Sequence, residues 1–531
     1  MKKAIALILA LVLAFSLLAG CADTAVQEDE TLQQTTTTTE PETTADPAPA
    51  ETAEPEEPET PAAPKYVFLF IGDGMSYPQI QSTSDFLGAL NDADYWQAEP
   101  SLDDNQGAIL DGPEYLNFMN FPVAGSAVTY DSNSFCPDSA STATSLSTGH
   151  KTYSGTINMD ETGSTAYETI AEQLAAQKGW EIGIISSVNL NHATPAAFYA
   201  HQASRNNYYE IGLELIESGF TYFAGGGLLK PTGAEGDQED LYALAEAAGY
   251  TVARNQAEAE AVTDGPVILI DEHLADGDAM AYELDRTEDM WSLADYVAKG
   301  IEVLDNDTGF FMMCEGGKID WACHANDAAS TIHDTRALAD AVQVAIDFAA
   351  EHPEETLILV TGDHETGGLT IGFAGTDYDT YLDLLENQKI SFAKFDSDYV
   401  AAYKENQTSF EDVMADVTEL FGLKTEGEEG DKLVLTDYEL DLLRTAYEKS
   451  VHGTETGYAA QQEYVLYGTY EPLSVTLTHI INNKSGISFT SYSHTGLPVA
   501  VLAQGVGSET FGGYYDNTQV YEKLAGLLDI Q

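Results

Sequence analysis

Acidic residues and histidines occur in this sequence at spacings suited to binding metal ions. Asp320 and His324, in "CEGGKIDWACHAND", are four positions apart, so on a helix both side chains would lie on one face and could bind one ion. Asp363 and His364 are adjacent in "VTGDHETGG", directly after an apolar run, where a turn could direct both inward. Taken alone, the first pair could be exposed surface residues with no role in metal binding, and the second could belong to a capped turn.

A hydroxyl-rich stretch, "CPDSASTATSLSTG" at 136–149, has Ser or Thr at seven of its fourteen positions and contains one acid, Asp138, but no base. A serine hydroxyl is a poor nucleophile at neutral pH unless a general base, a lowered pKa or a metal ion activates it. No G-x-S-x-G motif surrounds Ser139. If Ser139 reacts, its activator must therefore come from elsewhere in the chain.

The elements around these residues alternate between two patterns. Near-continuous apolar runs predict buried strands, among them "KYVFLFIGDG", "WEIGIISSVNL", "PVILI", "GFFMMCEGG" and "ETLILVTGDH". Runs with helical spacing lie between them, such as "AYETIAEQLAAQKG" and "NDAASTIHDTRALADAVQVAIDFAAEH". This alternation predicts an α/β fold with a mostly parallel central sheet and helices on both faces.

The candidate metal ligands fall where predicted strands end. Asp73 follows "FLFIG", Glu315 follows "FFMMC", and Asp363 with His364 follows "LILVTG". Ligands of such sheets bind just beyond the carboxyl ends of the strands, so these side chains should share one rim. Asp73 alone could be a turn residue and His494, in "SHTG", a loop histidine. The joint pattern is stronger evidence than any of its parts.

The charge of the chain excludes one class of function. Lys and Arg number 21 against 88 Asp and Glu, which gives a formal net charge of −67. Such a charge repels nucleic acid and anionic lipid at long range, so we expect no nucleic acid partner. It would also repel a phosphate substrate, and phosphate chemistry here would require local cations, of which bound metal ions are the obvious candidates.

The N-terminal region predicts an exported protein. Residues 1–20 carry two lysines and an apolar run and predict a signal peptide. "LAGC" resembles a bacterial lipobox, with cleavage before Cys21 and lipid on that cysteine, which would anchor the protein on the outer face of a bacterial membrane; the alternative is an ordinary signal peptide with an incidental cysteine. Residues 21–64, rich in Thr, Pro and Glu, predict a disordered tether.

Residues 65–531 are predicted to form the catalytic domain, with an acidic, helix-prone insertion at about 375–453 that covers the sheet. Three further cysteines, Cys136, Cys314 and Cys323, are an odd number, so at least one thiol stays free or pairs between molecules.

Six segments, taken in order, resemble the alkaline phosphatase family: "IGDGM", "PDSASTATSLSTG", "HATPAAFYAHQASR", "EGGKIDWACH", "VTGDHE" and "SHTG". The resemblance covers residues 66 to about 372 and 480–505, but not the acidic insertion. It implies metal-dependent hydrolysis of small phosphate monoesters to an alcohol and inorganic phosphate, through a phosphoserine intermediate at Ser139. Members of this family are commonly homodimers, so a homodimer is expected.

The resemblance also implies a role for each site residue. It makes Ser139, after Asp138, the nucleophile, and Arg205 the group that binds the phosphate. It implies two Zn²⁺ and one Mg²⁺ per subunit. The first zinc would be bound by Asp320, His324 and His494. The second, which also binds the Ser139 oxygen, would be bound by Asp73, Asp363 and His364. The third metal, normally magnesium, would be bound by Asp73, Thr194 and Glu315.

Two positions in the outer shell differ among members of the family. His192 would reach the third metal through water, which leaves the identity of that metal open. Trp321, directly after Asp320, brings no charge to the phosphate, so substrate and product should bind less tightly than where a cation occupies this position.

Two other functions remain open from the sequence. A phosphodiesterase or sulfatase could use the same metal scaffold, although "CPDSA" lacks the Cys/Ser-x-Pro-x-Arg signature of sulfatases, and diesterases of this superfamily mostly use threonine and lack an equivalent of Arg205. A non-catalytic surface lipoprotein that binds phosphate or metal is the third possibility. Ser139 beside a complete ligand set argues against it, because a binding protein has no use for a nucleophile.

Overall fold

The computed structural model describes residues 63–92, 95 and 109–530. The predicted signal peptide (1–20), Cys21 and almost all of the predicted tether (21–64) lie outside these residues. Within the described part of the chain, no helix has both the length and the apolar character that a membrane span requires.

A ten-stranded sheet forms the centre of the molecule, in the order β14-β2-β13-β8-β1-β7-β3-β4-β6-β5. Its strands are β1 Tyr66–Gly72, β2 Val123–Val128, β3 Glu181–Ser186, β4 Tyr222–Gly225, β5 Thr251–Ala253, β6 Val267–Ile270, β7 Phe310–Gly316, β8 Thr356–Gly362, β13 Val499–Gly505 and β14 Gly513–Asp516. All neighbours pair in parallel except β13, which runs antiparallel to both β8 and β2. The predicted mostly parallel sheet is confirmed.

Side chains of the central strand β1 alternate between two buried cores. Val67 and Leu69 pack in the core on one face of the sheet, and Phe68 and Phe70 pack in the core on the other. Because successive side chains of a strand point to opposite faces, an unbroken apolar run requires cover on both faces. Helices supply this cover, as the sequence predicts.

Two short ladders lie outside the main sheet. β9 Glu365–Thr366 pairs antiparallel with β12 His494–Thr495, and β10 Thr370–Ile371 pairs with β11 Ile487–Ser488. The first ladder sets His494 opposite Thr366. It therefore brings a histidine from near the end of the chain to the rim where β8 ends.

Among the described residues, eleven α-helices precede or flank the strands of the central sheet. They are α1 Tyr77–Asn91, α2 Ser139–Thr148, α3 Ile170–Lys178, α4 Ala193–Ala196, α5 Tyr208–Ser218, α6 Leu241–Ala248, α7 Gln256–Ala261, α8 Leu293–Leu304, α9 Lys318–His324, α10 Ala328–Glu351 and, after the segment described next, α17 Thr518–Leu528. Helix α2 begins at Ser139, within the hydroxyl-rich stretch. The Asp138 side chain caps it by accepting from the Ser141 amide at 3.1 Å.

A mainly helical segment lies between residues 382 and 485. Its helices are α11 Phe392–Phe395, α12 Ala401–Asn406, α13 Phe410–Phe421, α14 Asp437–His452, α15 Ala460–Tyr467 and α16 Pro472–Ser485. It has a core of its own, which includes Phe395, Phe421 and Leu443. Asp327, the N-cap of α10, attaches it to the sheet domain by accepting from the Phe392 amide at 3.0 Å and the Gln388 amide nitrogen at 2.8 Å.

Candidate metal centre and active site

Asp320, His324 and His494 form one group of potential metal ligands, which we call the open cluster. Helix α9 sets Asp320 and His324 one turn apart, with His324 Nε2 at 3.4 Å from Asp320 Oδ2. His494 Nε2 lies 3.6 Å from Asp320 Oδ1 and 3.0 Å from His324 Nε2. The side chains of His324 and His494 stay 25% and 13% exposed, so the cluster borders solvent.

Backbone carbonyls fix how the two imidazoles of the open cluster are protonated. His324 Nδ1 donates to the Tyr492 carbonyl at 2.6 Å, and His494 Nδ1 donates to the Pro137 carbonyl at 2.5 Å. Because each ring carries its proton on Nδ1, both Nε2 atoms present lone pairs to one another across 3.0 Å. Two lone pairs at that distance, beside a carboxylate, suit a shared cation.

Asp73, Asp363 and His364 form the closed cluster, in which every residue is at most 1% exposed. His364 Nε2 lies 3.3 Å from Asp73 Oδ1 and 3.4 Å from Asp363 Oδ2. The Ser139 hydroxyl lies 3.2 Å from the same nitrogen. Ser139, which the resemblance makes the nucleophile, and the candidate ligands of one metal site therefore converge on one point.

The Asp363 carboxylate is oriented by groups on both sides of the rim. Its Oδ1 accepts from the backbone amides of Gly74 at 3.2 Å and His364 at 2.8 Å, and its Oδ2 accepts from the Thr142 hydroxyl at 3.1 Å. Gly74 has a φ of +69°, which favours glycine. This turn explains the second glycine of "IGDGM".

Asp73, Thr194 and Glu315 meet on the inner side of the closed cluster. Asp73 Oδ2 accepts from the Thr194 hydroxyl at 3.3 Å, and Glu315 Oε2 accepts from the Ser186 hydroxyl. The other oxygens, Asp73 Oδ1 and Glu315 Oε1, are buried and have no hydrogen-bond partner among the described residues. Unpaired buried carboxylate oxygens are costly, and a bound cation would satisfy them.

The buried carboxylates also have too little positive charge around them to keep all of them ionised. Burial, together with the carboxylates of Asp363, Asp320 and Glu315, holds the pKa of Asp73 well above its usual range. Burial and Asp320 raise the pKa of Asp363 to about 7, and burial raises the pKa of Glu315 to about 8. Divalent cations would reverse these shifts, so the donor set fits bound divalent cations.

Ser139 and Arg205 line a cleft of about 390 Å³ above the clusters. Arg205 Nη1 donates to Asp138 Oδ2 at 2.9 Å. Although burial opposes ionisation of Asp138, the charge of Arg205 holds its pKa below the ordinary value. Asp138 thus both caps α2 and positions the guanidinium beside Ser139.

His192 and Trp321 lie together on the wall of this cleft, with ring centres 5.9 Å apart. His192 Nε2 lies 3.5 Å from Arg205 Nη2, and its buried Nδ1 has no partner among the described residues. Burial, with a further contribution from Arg205, lowers the pKa of His192 to about 3, so the ring is neutral.

Comparison with known proteins agrees with this geometry. Residues 64–530 match the family model described as alkaline phosphatase. The chain belongs to the alkaline phosphatase family. It is 30% identical to alkaline phosphatase 3 of Bacillus subtilis strain 168, over 87% of this chain and 88% of that protein.

Two solved alkaline phosphatase structures resemble the fold. The cold-active alkaline phosphatase of a psychrophilic Shewanella species is 28% identical, with a TM-score of 0.68, and the match covers 87% of this chain and 99% of that one. A His-to-Glu variant of the enzyme from the Antarctic bacterium TAB5 is 25% identical, with a TM-score of 0.57 and coverage of 89% and 99%.

As an alkaline phosphatase, the protein is a phosphomonoester hydrolase of a metal-dependent family. The family, fold class and enzyme class predicted from the sequence are confirmed. The site adds residues that the sequence reading missed. The Thr366 hydroxyl donates to Asp320 Oδ1 at 2.5 Å and lies 3.3 Å from His364 Nδ1, so it links the two clusters. In the sequence, the position of Thr366 two residues after His364 was the signal that could have identified it.

Lys318 is a second residue that the sequence reading missed. Its side chain is fully buried, with Nζ 4.6 Å from the ring centre of Trp321 and 2.6 Å from Asp276 Oδ1. Lys318 therefore places a charged group next to Trp321, an uncharged residue that lines the cleft.

Proposed function

We propose that the protein hydrolyses phosphate monoesters through a phosphoserine at Ser139. In the first step the Ser139 oxygen bonds to phosphorus and the ester oxygen leaves as the alcohol, taking a proton. In the second step water attacks the same phosphorus, the bond to Ser139 breaks, and inorganic phosphate leaves. The observation that carries this proposal is the 3.2 Å approach of Ser139 Oγ to His364 Nε2 inside the closed cluster.

The imidazole of His364, 3.2 Å from the Ser139 hydroxyl, is too weak a base to hold the Ser139 proton. Burial, then the nearby His494, holds the pKa of His364 well below its ordinary value. His364 Nε2 faces the Asp73 and Asp363 carboxylates as well as Ser139. This convergence suits a shared metal ligand better than a general base.

The metals that we propose are two Zn²⁺ and one Mg²⁺. Mixed imidazole and carboxylate donors suit zinc in both clusters, and the oxygen donors of Asp73, Thr194 and Glu315 suit magnesium. The TAB5 variant is described as having Mg bound in its M3 site. Bound divalent ions would act as Lewis acids on phosphoryl oxygens and favour deprotonated oxygen nucleophiles.

Arg205 would bind the transferred phosphate. Asp138 holds one of its Nη atoms, which directs the rest of the planar group into the cleft beside Ser139. Guanidinium can donate two parallel hydrogen bonds to phosphate oxygens, and a monoester offers more unsubstituted oxygens than a diester. His192 would contribute to the third metal through water, and Trp321 would give a neutral wall.

The location of the enzyme is a separate part of the proposal. Residues 1–20 would be removed, lipid on Cys21 would anchor the protein outside a bacterial membrane, and residues 21–64 would tether a homodimer of the catalytic domain 65–531 with its insertion at about 375–453. Cells grown with labelled palmitate should incorporate the label into the protein but not into its Cys21→Ser variant. Equal labelling of the two proteins, or no label in either, would contradict lipid anchoring at Cys21.

The activity is tested with 4-nitrophenyl phosphate and bis(4-nitrophenyl) phosphate. The purified, metal-loaded protein should prefer the monoester, and Ser139→Ala should lose at least about four orders of magnitude in kcat with its zinc content retained. Arg205→Ala should reduce monoester turnover more than diester turnover. Nearly full activity of Ser139→Ala would remove the nucleophile assignment, and a preference for the diester would make the protein a phosphodiesterase.

A further inference from the structure

Tyr492 connects the open cluster to the helical segment between residues 382 and 485. Its main-chain carbonyl accepts from His324 Nδ1 at 2.6 Å. Its hydroxyl donates to the carbonyl of Leu466 at 2.7 Å and lies 3.3 Å from the carbonyl of Val465, both in the last turn of α15. The last carbonyls of a helix have no partner within it, so the hydroxyl also caps α15. One residue therefore contacts a candidate metal ligand with its backbone and a helix end with its side chain.

The ring of Tyr492 packs against the turn between α15 and α16. A Cβ atom at Gly468 would lie only 2.8 Å from Tyr492 Cγ, so the ring lies directly against this glycine. The ring centres of Tyr464 and Tyr470 lie 6.4 and 6.1 Å from that of Tyr492. Because closely packed groups transmit strain to their neighbours, a shift of this turn would move Tyr492 and the carbonyl that it carries.

A second connection joins α16 to the chain on both sides of the hydrogen bond from the imidazole. Asn326 lies two residues after His324. Its Oδ1 is 3.0 Å from His479 Nε2, and its carbonyl accepts from Asn482 Nδ2 at 2.7 Å, both on α16. The Asn326 side chain also donates to the Ser491 carbonyl at 2.8 Å, one residue before the tyrosine. The helical segment therefore holds both stretches of chain that meet at the imidazole.

The closed cluster has no corresponding connection. Among the described residues, the hydrogen-bond and ion-pair partners of Asp73, Asp363 and His364 all lie outside residues 382–485. They belong to the rim of the sheet, to α2 and to α4. In hydrogen bonding, the helical segment therefore supports the cluster that borders solvent.

We propose that the helical segment holds zinc in the open cluster, with Tyr492 as the positioning residue. The carbonyl of Tyr492 orients the His324 imidazole and keeps its Nε2 directed at the site. The Leu466 carbonyl, through the Tyr492 hydroxyl, keeps that carbonyl in place. This inference rests on the zinc site that the proposed function assigns to the open cluster. It adds a role for the helical segment, which slows the loss of metal from a cluster that water can reach.

The first test measures zinc release from the full metal-loaded protein and from Tyr492→Phe, which keeps the ring and loses the hydroxyl. Excess 4-(2-pyridylazo)resorcinol binds the released zinc and reports it by absorbance. The release phase that disappears in His494→Ala belongs to the open cluster. In Tyr492→Phe this phase should be about threefold to tenfold faster, less than the loss of a direct partner of a metal ligand causes, because the carbonyl itself remains. The other phase should keep its rate.

Tyr447→Phe is the matched control. The Tyr447 hydroxyl donates to the Thr408 carbonyl at 2.7 Å, within the helical segment itself, and this variant should release zinc at the rate of the unaltered protein. Excess zinc should restore kcat in Tyr492→Phe, because its ligands are intact. An unchanged open-cluster phase in folded Tyr492→Phe would overturn the proposal. Equal acceleration in both variants would also overturn it, since that result would indicate general loosening of the segment.

The second test uses the unaltered protein and does not depend on the folding of a variant. If the helical segment stabilises bound zinc, bound zinc must stabilise the segment by the same free energy. Chelation of the open-cluster zinc should therefore speed hydrogen–deuterium exchange of the amides in residues 464–472, whereas the amides of α13 should keep their rate. Unchanged exchange in residues 464–472 would contradict the proposal.

The proposed function and this inference fail separately. If the unaltered protein retains no zinc and does not hydrolyse 4-nitrophenyl phosphate, the proposed function is wrong and the role of Tyr492 falls with it. If the protein retains zinc and hydrolyses this monoester, but neither the variant nor chelation has the expected effect, the proposed function stands and the role given to the helical segment is wrong.

Discussion

The open and closed clusters use similar donors but are built in different ways. The closed cluster follows directly from sheet register: Gly72 pairs with Gly362 in neighbouring parallel strands, so Asp73 and Asp363 emerge side by side. The open cluster combines helix α9 with the short strand β12, and its imidazoles are held by the carbonyls of Tyr492 and Pro137. The closed site is thus part of the rigid core, whereas the open one borders solvent and should exchange its metal more readily.

The largest effect is expected from the closed cluster. Asp363→Ala should lower kcat/KM on a monoester by at least about three orders of magnitude, because it removes a proposed metal ligand from the cluster that contacts Ser139. Excess zinc should not restore activity, since the cluster is buried and the variant loses one of its two carboxylates. Activity measured across a zinc titration, with metal content by mass spectrometry, checks this. Full recovery at high zinc would show that the closed site is as exchangeable as the open one.

A smaller, rescuable loss is expected from the open cluster. His494→Ala should reduce turnover by about tenfold to a hundredfold, and excess zinc should restore part of it. Because Ser139 and the closed cluster remain intact, phosphate should accumulate on Ser139 while its release slows.

Acid-quenched His494→Ala protein, analysed by mass spectrometry, should show phosphate on the peptide that contains Ser139. In the unaltered enzyme, a chelator should remove metal in two phases, the faster from the open cluster. A slow variant that never shows phosphoserine would argue against the two-step mechanism.

Thr366 tests whether the clusters act independently. Thr366→Val removes the hydroxyl that donates to Asp320 and meets His364, and should lower zinc affinity and kcat about tenfold. Thr366→Ser, which keeps the hydroxyl, should retain most of both. Equal losses in the two variants would assign the effect to packing of the methyl group.

The smallest effect concerns a histidine outside both clusters. Burial opposes charging of His201, but the carboxylates of Glu172 and Glu214 outweigh it and raise its pKa to about 10. The unfolded value is about 6.5. A raised pKa stabilises the fold below the unfolded value, and this stability is lost as the pH rises through the folded value.

His201→Gln should therefore cost on the order of 1 kcal/mol at pH 6, after allowance for solvent screening, and less above pH 10. Urea unfolding at several pH values measures this difference. A constant difference between variant and parent across that range would show that His201 is not charged in the folded protein.

The sequence predicted the closed cluster better than the open one. Apolar runs identify β1, β7 and β8, and residues at the carboxyl ends of parallel strands must share a rim, which places Asp73, Glu315 and Asp363. The local hydrophobic periodicity does not predict that the carbonyls of Tyr492 and Pro137 accept from imidazoles of the open cluster. It also does not predict that β13 runs antiparallel to its neighbours. Those contacts depend on loops brought together from distant parts of the chain.

The residues that line the cleft are equally hard to predict from the sequence. Asp320 and Trp321 could be placed on one short helix from spacing alone. Tyr282 and Phe392, which complete the wall, come from different segments, and no sequence pattern pairs them. Pockets built from several segments are visible only once the chain is folded.

The hydrogen bond from His494 to the Pro137 carbonyl joins positions 357 residues apart. During synthesis, the hydroxyl-rich stretch leaves the ribosome long before the histidine that completes the metal centre. Long-range contacts of this kind form late in folding. A chain that is still being translated therefore lacks a complete open cluster until His494 has left the ribosome.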